Sequence, residues 1–375
     1  MSGKKEKPNT RRGVLICGAY GHGNAGDEAI LEAIVGEMRA IDPDMPVTVL
    51  SRTPGETAER NGVRALHTFD FPAFLRVMRR SKLFLCGGGS LIQDVTSSRS
   101  LWYYLFTLRA ARLLGCRVLM YGCGIGPVTR AFDRRLTRRV LNKSVDIITL
   151  REESSLDELR EYGVTVPEVI PASDPALTLP AAEPEAAEAA LAELGIAPGT
   201  KCIGVCVRRW PGFLDRTPAF AEALRHAWEV YGLTPVFVSI NHRSDGEAAE
   251  RVCEKLPAGM PRFLLREPMP TPLTIAVLSR MDIVLSMRLH GLIFAAASGV
   301  PLAGVSYDPK VTAFLEYAGQ KNHLPLEKID AQSLCALVDA AAALRGDRAA
   351  LAARARELRE KESRNTMAAR RLLEN

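Results

Sequence analysis

Short apolar runs rich in β-branched residues recur along the chain, separated by longer stretches of helical periodicity. A first set covers residues 14–17, 47–50, 83–86, 118–121 and 147–150; a second covers 202–207, 236–240, 263–265, 283–286 and 302–306. The runs are near-continuously apolar rather than alternating, as expected of strands buried on both faces of parallel sheets. Strands alternating with helices then predict two Rossmann-like α/β domains that face each other across a cleft. Residues 13–180 form the first domain and 200–325 the second. A Pro/Ala/Glu-rich linker over 181–199 turns helical near its middle, and the Ala/Leu/Arg-rich segment 326–375 reads as C-terminal helices. A length of 375 residues agrees with two cores rather than one.

In open α/β sheets, ligands bind beyond the carboxyl ends of the strands, so the loops that follow the apolar runs carry the candidate chemistry. After the first strand stands "GHGNAGDE", residues 21–28. Its first six residues fit the G-x-G-x-x-G template, but the second strand ends Leu50-Ser51-Arg52 without the acid that would bind a ribose. Asp27 and Glu28 instead place carboxylates where a pyrophosphate would rest on a helix N-terminus. Asp27 can be an N-cap or first-turn residue, a base, or an acceptor of sugar hydroxyls, with Asn24 beside it. After the third strand, "CGGGSLIQD" brings Gly88, Gly89 and Asp94 to the rim, with Arg99 a few residues on; this mix of glycine, carboxylate and hydroxyls suits a sugar.

The segment "DIVLSMRLHGLIFAAASGVP" is the sharpest. A buried strand ends at Ser286, and Arg288 and His290 open a helix whose free N–H groups attract anions. Leu289, Ile293 and Ala296 form the apolar stripe, so His290 projects elsewhere. Downstream, "VSYDPKV" ends the next strand with Tyr307, Asp308 and Lys310, and neighbouring parallel strands would set Lys310 beside His290. Arg, His and Lys together make a site for a small, multiply anionic ligand.

Charge and composition narrow the partners. The formal net charge is +6, much of it in the Lys/Arg-rich residues 1–12, which read as a solvated tail able to graze an anionic membrane surface. The cluster Arg130, Arg134, Arg135, Arg138 and Arg139 reads mainly as a solvated helix face. Aromatic residues make up 6% and do not interleave with basic ones in the sequence, which argues against nucleic acid. No apolar run reaches a membrane span and no secretory leader opens the chain, so the expected location is cytoplasmic. The eight cysteines show no metal-ligand spacing and read as small buried hydrophobes.

Taken in order, "GNAGDEAIL", "GGGSLIQD", "YGCGIGP", "SDPAL", "SMRLHGLIFAA" and "YDPKV" resemble the polysaccharide pyruvyl transferase family over roughly residues 13–320. The resemblance is greatest to its CsaB-type branch, which acts on bacterial secondary cell-wall polymers of the kind that anchor surface layers. One departure is Gly291, where the family pattern has alanine. The resemblance implies a GT-B-like fold, phosphoenolpyruvate as co-substrate with no other cofactor, and a 4,6-linked pyruvate ketal on N-acetylmannosamine of a lipid-linked acceptor. It places the donor on Arg288, Leu289, His290 and Lys310, with Arg130 after "GIGP" as a further contact. Asn24, Asp27, Gly88, Gly89, Asp94 and Arg99 remain for the acceptor.

The reaction suits such residues. Phosphoenolpyruvate needs cations for its phosphate and carboxylate, and ketal formation needs an acid for the methylene carbon and a base for the hydroxyls. His290 or Lys310 can serve as acid, and Asp27 or Asp94 as base. No metal is required. A nucleotide-sugar glycosyltransferase would share the two-domain cleft, and a non-catalytic sugar-binding protein is a third reading.

Overall fold

The computed structural model describes residues 11–95 and 97–374. Residues 1–10 of the basic tail lie outside the described residues. The N-terminal half carries strands β1 (Val14–Cys17), β2 (Val47–Ser51), β3 (Arg64–His67), β4 (Leu83–Gly87), β5 (Arg117–Cys123), β6 (Ile147–Leu150) and β7 (Glu168–Pro171). Its helices are α1 (Ala25–Ile41), α2 (Pro54–Asn61), α3 (Phe71–Met78), α4 (Ser98–Leu113), α5 (Ala131–Ser144) and α6 (Ser154–Glu161). The strands form one parallel sheet in the order β3-β2-β1-β4-β5-β6-β7.

After α7 (Pro184–Glu193), the second half repeats the plan. Strands β8 (Cys202–Cys206), β9 (Thr234–Val238), β10 (Phe263–Leu265), β11 (Ile283–Ser286), β12 (Leu302–Ser306) and β13 (His323–Pro325) pair in parallel, in the order β10-β9-β8-β11-β12-β13. Helices α8 (Phe213–Tyr231), α9 (Asp245–Cys253), α10 (Thr271–Ser279), α11 (Leu289–Ala297) and α12 (Pro309–Tyr317) connect them. The linker helix α7 packs on α10, and the Ala182 N–H donates to the Pro272 carbonyl at 2.9 Å.

The C-terminal segment divides between the halves. Helix α13 (Ala331–Ala343) packs on α8, whereas α14 (Arg348–Glu374) returns to lie across β5 and β6 of the first sheet. Arg359 ties the halves together, donating to the Leu177 carbonyl at 2.9 Å and to the Ala297 carbonyl at 2.8 Å. Alternate residues of the first sheet face two different cores. Ile16, Val49, Leu85 and Leu119 pack with α1 and α14 in a cluster that continues into α11, and Leu15, Leu50, Phe84 and Val118 pack with α3, α4 and α5. That shared apolar cluster fixes α1 of one half against α11 of the other, so their N-terminal turns face across the cleft.

Candidate active site

Asn24 caps α1: its Oδ1 accepts from the Gly26 N–H at 3.2 Å, and its Nδ2 donates to Asp27 at 2.6 Å. Asp27 is therefore not the cap but a first-turn residue, and its carboxylate is held toward the cleft. Glu28 turns back instead and accepts from the Gly21 N–H at 2.7 Å, fixing the glycine loop. The same loop reaches the other half, where the Ala25 N–H donates to the Ile240 carbonyl at 2.8 Å and Asn24 bridges to Asn241.

Opposite, Arg288 is the N-cap of α11 and His290 lies in its first turn. The whole of α11 is buried, so its sides are distinguished by what they touch rather than by exposure to water. A Cβ at Gly26 would lie 2.0 Å from His290 Nδ1, so only glycine lets α1 approach the imidazole this closely. Gly291 has an equally local reason: a Cβ there would fall 2.8 Å from Ser286 Oγ and 2.9 Å from Cys206 Sγ.

Between the two helix starts lies a cavity of about 200 Å³. Asn24, Asp27, Gly89, Arg288, Leu289, His290 and Lys310 all border it. The donor-side and acceptor-side residues expected from the sequence thus meet in one place. Gly88 lies behind the wall, against Ile30. Asp94, Arg99 and Arg130 do not line the cavity. Asp94 is turned into its own loop, accepting from the Thr129 N–H at 2.8 Å and the Arg130 N–H at 3.0 Å. Burial works to raise its carboxyl, and those N–H groups outweigh it and hold it below the usual range. Arg99 and Arg130 are exposed at the starts of α4 and α5.

Other wall residues follow strands directly: Arg151 after β6 and Arg208 after β8. The signal that singled out Arg288, a cation just past a buried strand, applies equally to both. Arg151 is buried between Asp174 (2.8 Å) and Glu152 (3.1 Å) and also reaches Ser90 Oγ at 3.3 Å. Asp174 comes from "SDPAL" and gives that motif its purpose. Arg288 is likewise met, its Nε donating to both oxygens of Asp245 at 2.9 and 3.1 Å. Asp245 also accepts from the Ile240 and Asn241 N–H groups, so Arg288 fixes the loop that carries the bridge to Asn24. Arg208 is held differently. Its guanidinium lies over the rings of Trp210 (4.7 Å) and Tyr307 (4.6 Å), with no bridging carboxylate among the described residues. Lys310 pairs with Asp308 at 2.9 Å.

The protonation states follow. Burial lowers His290 to about 4, with Arg151, Lys310 and Arg288 adding to the effect of burial and Asp174 opposing it. Its imidazole is neutral at pH 7, and its buried Nε2 has no hydrogen-bond partner among the described residues while lying 3.8 Å from Asp174. Burial pushes the Asp27 carboxyl up to about 6, against the Asn24 hydrogen bond and the charges of Arg151 and Lys310. Asp27, not His290, is thus the group poised to carry a proton near neutral pH.

A second cavity of about 280 Å³ lies on the other side of the Asn24–Asn241 bridge. Thr53, Arg60, His242, Arg243 and Met269 border it, again from both halves.

Comparison with solved structures gives the fold. A glycosyltransferase from Rickettsia africae aligns at a TM-score of 0.63 and 12% identity, over 97% of this chain and 99% of that one. A UDP-GlcNAc 2-epimerase from Neisseria meningitidis, bound to UDP-GlcNAc, aligns at 0.58 and 13% identity over 92% and 98%. A ugt transferase from Siraitia grosvenorii in complex with UDP aligns at 0.59 and 13% identity over 96% and 100%. The chain therefore has the two-domain GT-B architecture with a helical C-terminus. Comparison with curated proteins gives no match. The sequence profile of the polysaccharide pyruvyl transferases matches residues 24–309, from the Asn24 bridge through Arg288 and His290 to one residue short of Lys310. The chain belongs to that family, and it is a transferase of the kind that moves pyruvate onto polysaccharide.

Proposed function

We propose that the chain transfers the pyruvyl group of phosphoenolpyruvate to N-acetylmannosamine of a lipid-linked cell-wall polymer precursor, as in the CsaB-type branch, at the cytoplasmic side of the membrane. The observation that carries this reading is the small cavity that joins Arg208, Arg288 and Lys310 to one carboxyl poised near neutral pH. A donor with a phosphate and a carboxylate needs such cations, and a ketal-forming reaction needs such a carboxyl.

In this reading the donor anions face Arg208 and Lys310, with Arg288 and Arg151 held behind by Asp245 and Asp174. Protonated Asp27 gives its proton to the methylene carbon, and the C2 cation that develops is met by the first sugar hydroxyl. Asp27 then takes the proton of that hydroxyl. Cleavage of the C2–O bond releases phosphate, and the second hydroxyl closes the ketal. The two hydroxyl protons end on the new methyl group and on phosphate, so one carboxyl can serve both transfers. Neutral His290 accepts rather than donates at the start, and a bound phosphate would favour its charged form. The acceptor's sugar borders Asn24, Asp27 and Gly89, and its diphosphate suits the second cavity with Arg60 and Arg243. No cofactor beyond the co-substrate is invoked.

The GT-B neighbours that hold UDP or UDP-GlcNAc favour one rival, a nucleotide-sugar glycosyltransferase. Incubation with phosphoenolpyruvate and a synthetic lipid-linked disaccharide should give a product carrying one ketal and one equivalent of free phosphate. Thermal stabilisation by UDP-sugars and none by phosphoenolpyruvate would support the rival instead.

A further inference from the structure

The outer surface of α3, α4 and α5 has no role in the cleft, yet it exposes a group of large aromatic side chains. Phe69, Phe71, Trp102, Phe106 and Phe132 are each between 38% and 66% exposed. Phe69 stacks on Phe71 at 6.3 Å, Phe71 meets Phe106 at 5.8 Å, and Trp102 meets Phe132 at 6.4 Å. Trp102 and Phe106 are i, i+4 neighbours on α4, which joins the pairs into one stripe; exposed Leu113 continues it two turns further along.

The charge around this stripe is one-sided. Residues 71–145 hold fourteen Lys or Arg, two Asp and no Glu, in a chain whose total charge is only +6. Both acids are buried and occupied: Asp94 by the 129–130 backbone, and Asp133 by Ser98 Oγ at 2.9 Å and Trp102 Nε1 at 2.7 Å. Arg112 and Arg117 bridge to Asp146, and Arg134 to Glu161. Among the described residues no carboxylate bridges Arg76, Arg79, Arg99, Arg109, Arg135 or Arg139.

We propose that this face docks the protein onto an anionic lipid surface, with the aromatic stripe at the headgroup–acyl boundary and the arginines on lipid phosphates. Rings exposed to water gain by entering an apolar boundary, and unpaired arginines gain from anions alongside it; a bilayer interface supplies both. A second copy of the chain fits poorly, because a two-fold contact through the stripe would set these arginines against their own copies. Single-stranded nucleic acid fits poorly too, since the rings pack on one another over a helical layer instead of lying open in a groove. The stripe also ends in the right place. Arg52, at the carboxyl end of β2, lies over Phe69 at 4.9 Å, and the next residue, Thr53, borders the second cavity of the cleft. Docking by this face would therefore bring the cleft mouth to the membrane. The purpose of docking rests on the lipid-linked acceptor proposed above, whereas binding itself is measured without substrate.

The test is flotation of the full chain with vesicles of phosphatidylcholine alone or mixed with phosphatidylglycerol. The protein should float with the anionic vesicles, be released at high salt, and stay with the soluble fraction for the neutral ones. Phe106→Ser with Phe132→Ser should lower partitioning by about tenfold or more while leaving the melting temperature and turnover on a soluble acceptor near wild type. Arg135→Glu with Arg139→Glu should lower it by at least as much, since each cation near such a surface is worth about fivefold. Lys4→Ala, Lys5→Ala and Lys7→Ala together should leave most of the binding. Undiminished binding by the Phe106/Phe132 variant, or its loss in the lysine variant alone, overturns the proposal. So does a dimer in light scattering that Phe106→Ser dissolves, or preferential capture of a single-stranded oligonucleotide. A wild-type protein that floats but transfers no pyruvate defeats only the functional reading, and one that transfers but does not float defeats only this one.

Discussion

Arg151 and Arg288 in the cleft, and Arg135 and Arg139 on α5, carry the same side chain into opposite surroundings. The cleft pair is almost wholly buried, and each guanidinium is matched to a carboxylate, Asp174 or Asp245. The α5 pair is exposed and faces no carboxylate among the described residues. Burial without a partner would cost several kcal/mol, so a cation inside the cleft comes with its own acid and is fixed in direction by it. Much of its charge is thereby spent within the protein. An exposed cation keeps its charge for a partner but gives up fixed geometry. Arg208 lies between the two regimes, oriented by rings and a phenol instead of a carboxylate, and it is the cleft guanidinium with most charge left for a ligand.

The sharpest way to break the contrast is to delete a buried partner. Arg151→Met leaves Asp174 and Glu152 buried beside each other without a cation, and stability should fall by about 3–5 kcal/mol. Denaturant unfolding measures this, and a loss below 1 kcal/mol would mean that the pair is not structural.

Next in size is Asp27→Asn, which should cut turnover by on the order of a hundredfold while hardly changing donor affinity. The same change gives a stability signature of known sign. Folding raises Asp27 to about 6 from the ordinary aspartate value of 3.8, so the folded state favours the protonated form. Its contribution is present in acid and is lost as pH rises through about 6. The variant should match wild type near pH 4 and exceed it near pH 8, by up to about 3 kcal/mol. Equal melting temperatures at both values would show that Asp27 is an ordinary first-turn residue. A smaller loss is expected for Arg208→Ala: about tenfold in phosphoenolpyruvate affinity by calorimetry, with acceptor affinity little changed, as for one charge-assisted contact.

How much of this was legible in the sequence depends on what each residue's neighbours contribute. The central strands were plain, because strands buried on both faces are apolar throughout. β3, β7 and β13 were not, since they lie at sheet edges, are partly exposed and carry residues such as Arg64, His67 and Glu168. The cleft was legible wherever a motif followed a strand, as at Asn24, Asp27, Gly89 and Arg288–Lys310. Asp94 shows the limit: it lies in the loop that follows β4, but its side chain turns to the 129–130 backbone, far away in sequence, and not to the cavity. Arg151 and Arg208 carried the same signal as Arg288 with no flanking histidine or lysine to draw attention. The α3–α5 face was hidden for another reason: aromatics and arginines alternate within single segments such as 99–112, but they join into one surface only once three helices are laid side by side.

The smallest effect tests the exposed side of the comparison. Arg135→Ala with Arg139→Ala removes two cations that no carboxylate holds, from positions on α5 facing away from Val140 and Leu141 of the core. Alanine is at least as good a helix former as arginine, so backbone propensity does not oppose the change. Removing like charges from a run that also contains Arg134 and Arg138 relieves repulsion along the helix. Stability should therefore change by less than about 0.5 kcal/mol, and in the favourable direction if at all. Turnover on a soluble acceptor should be unchanged, because neither residue borders the cavities of the cleft. A loss above 1 kcal/mol in denaturant unfolding would show that these arginines support the fold as those of the cleft do, and the distinction between charge held inward and charge kept for a partner would not stand.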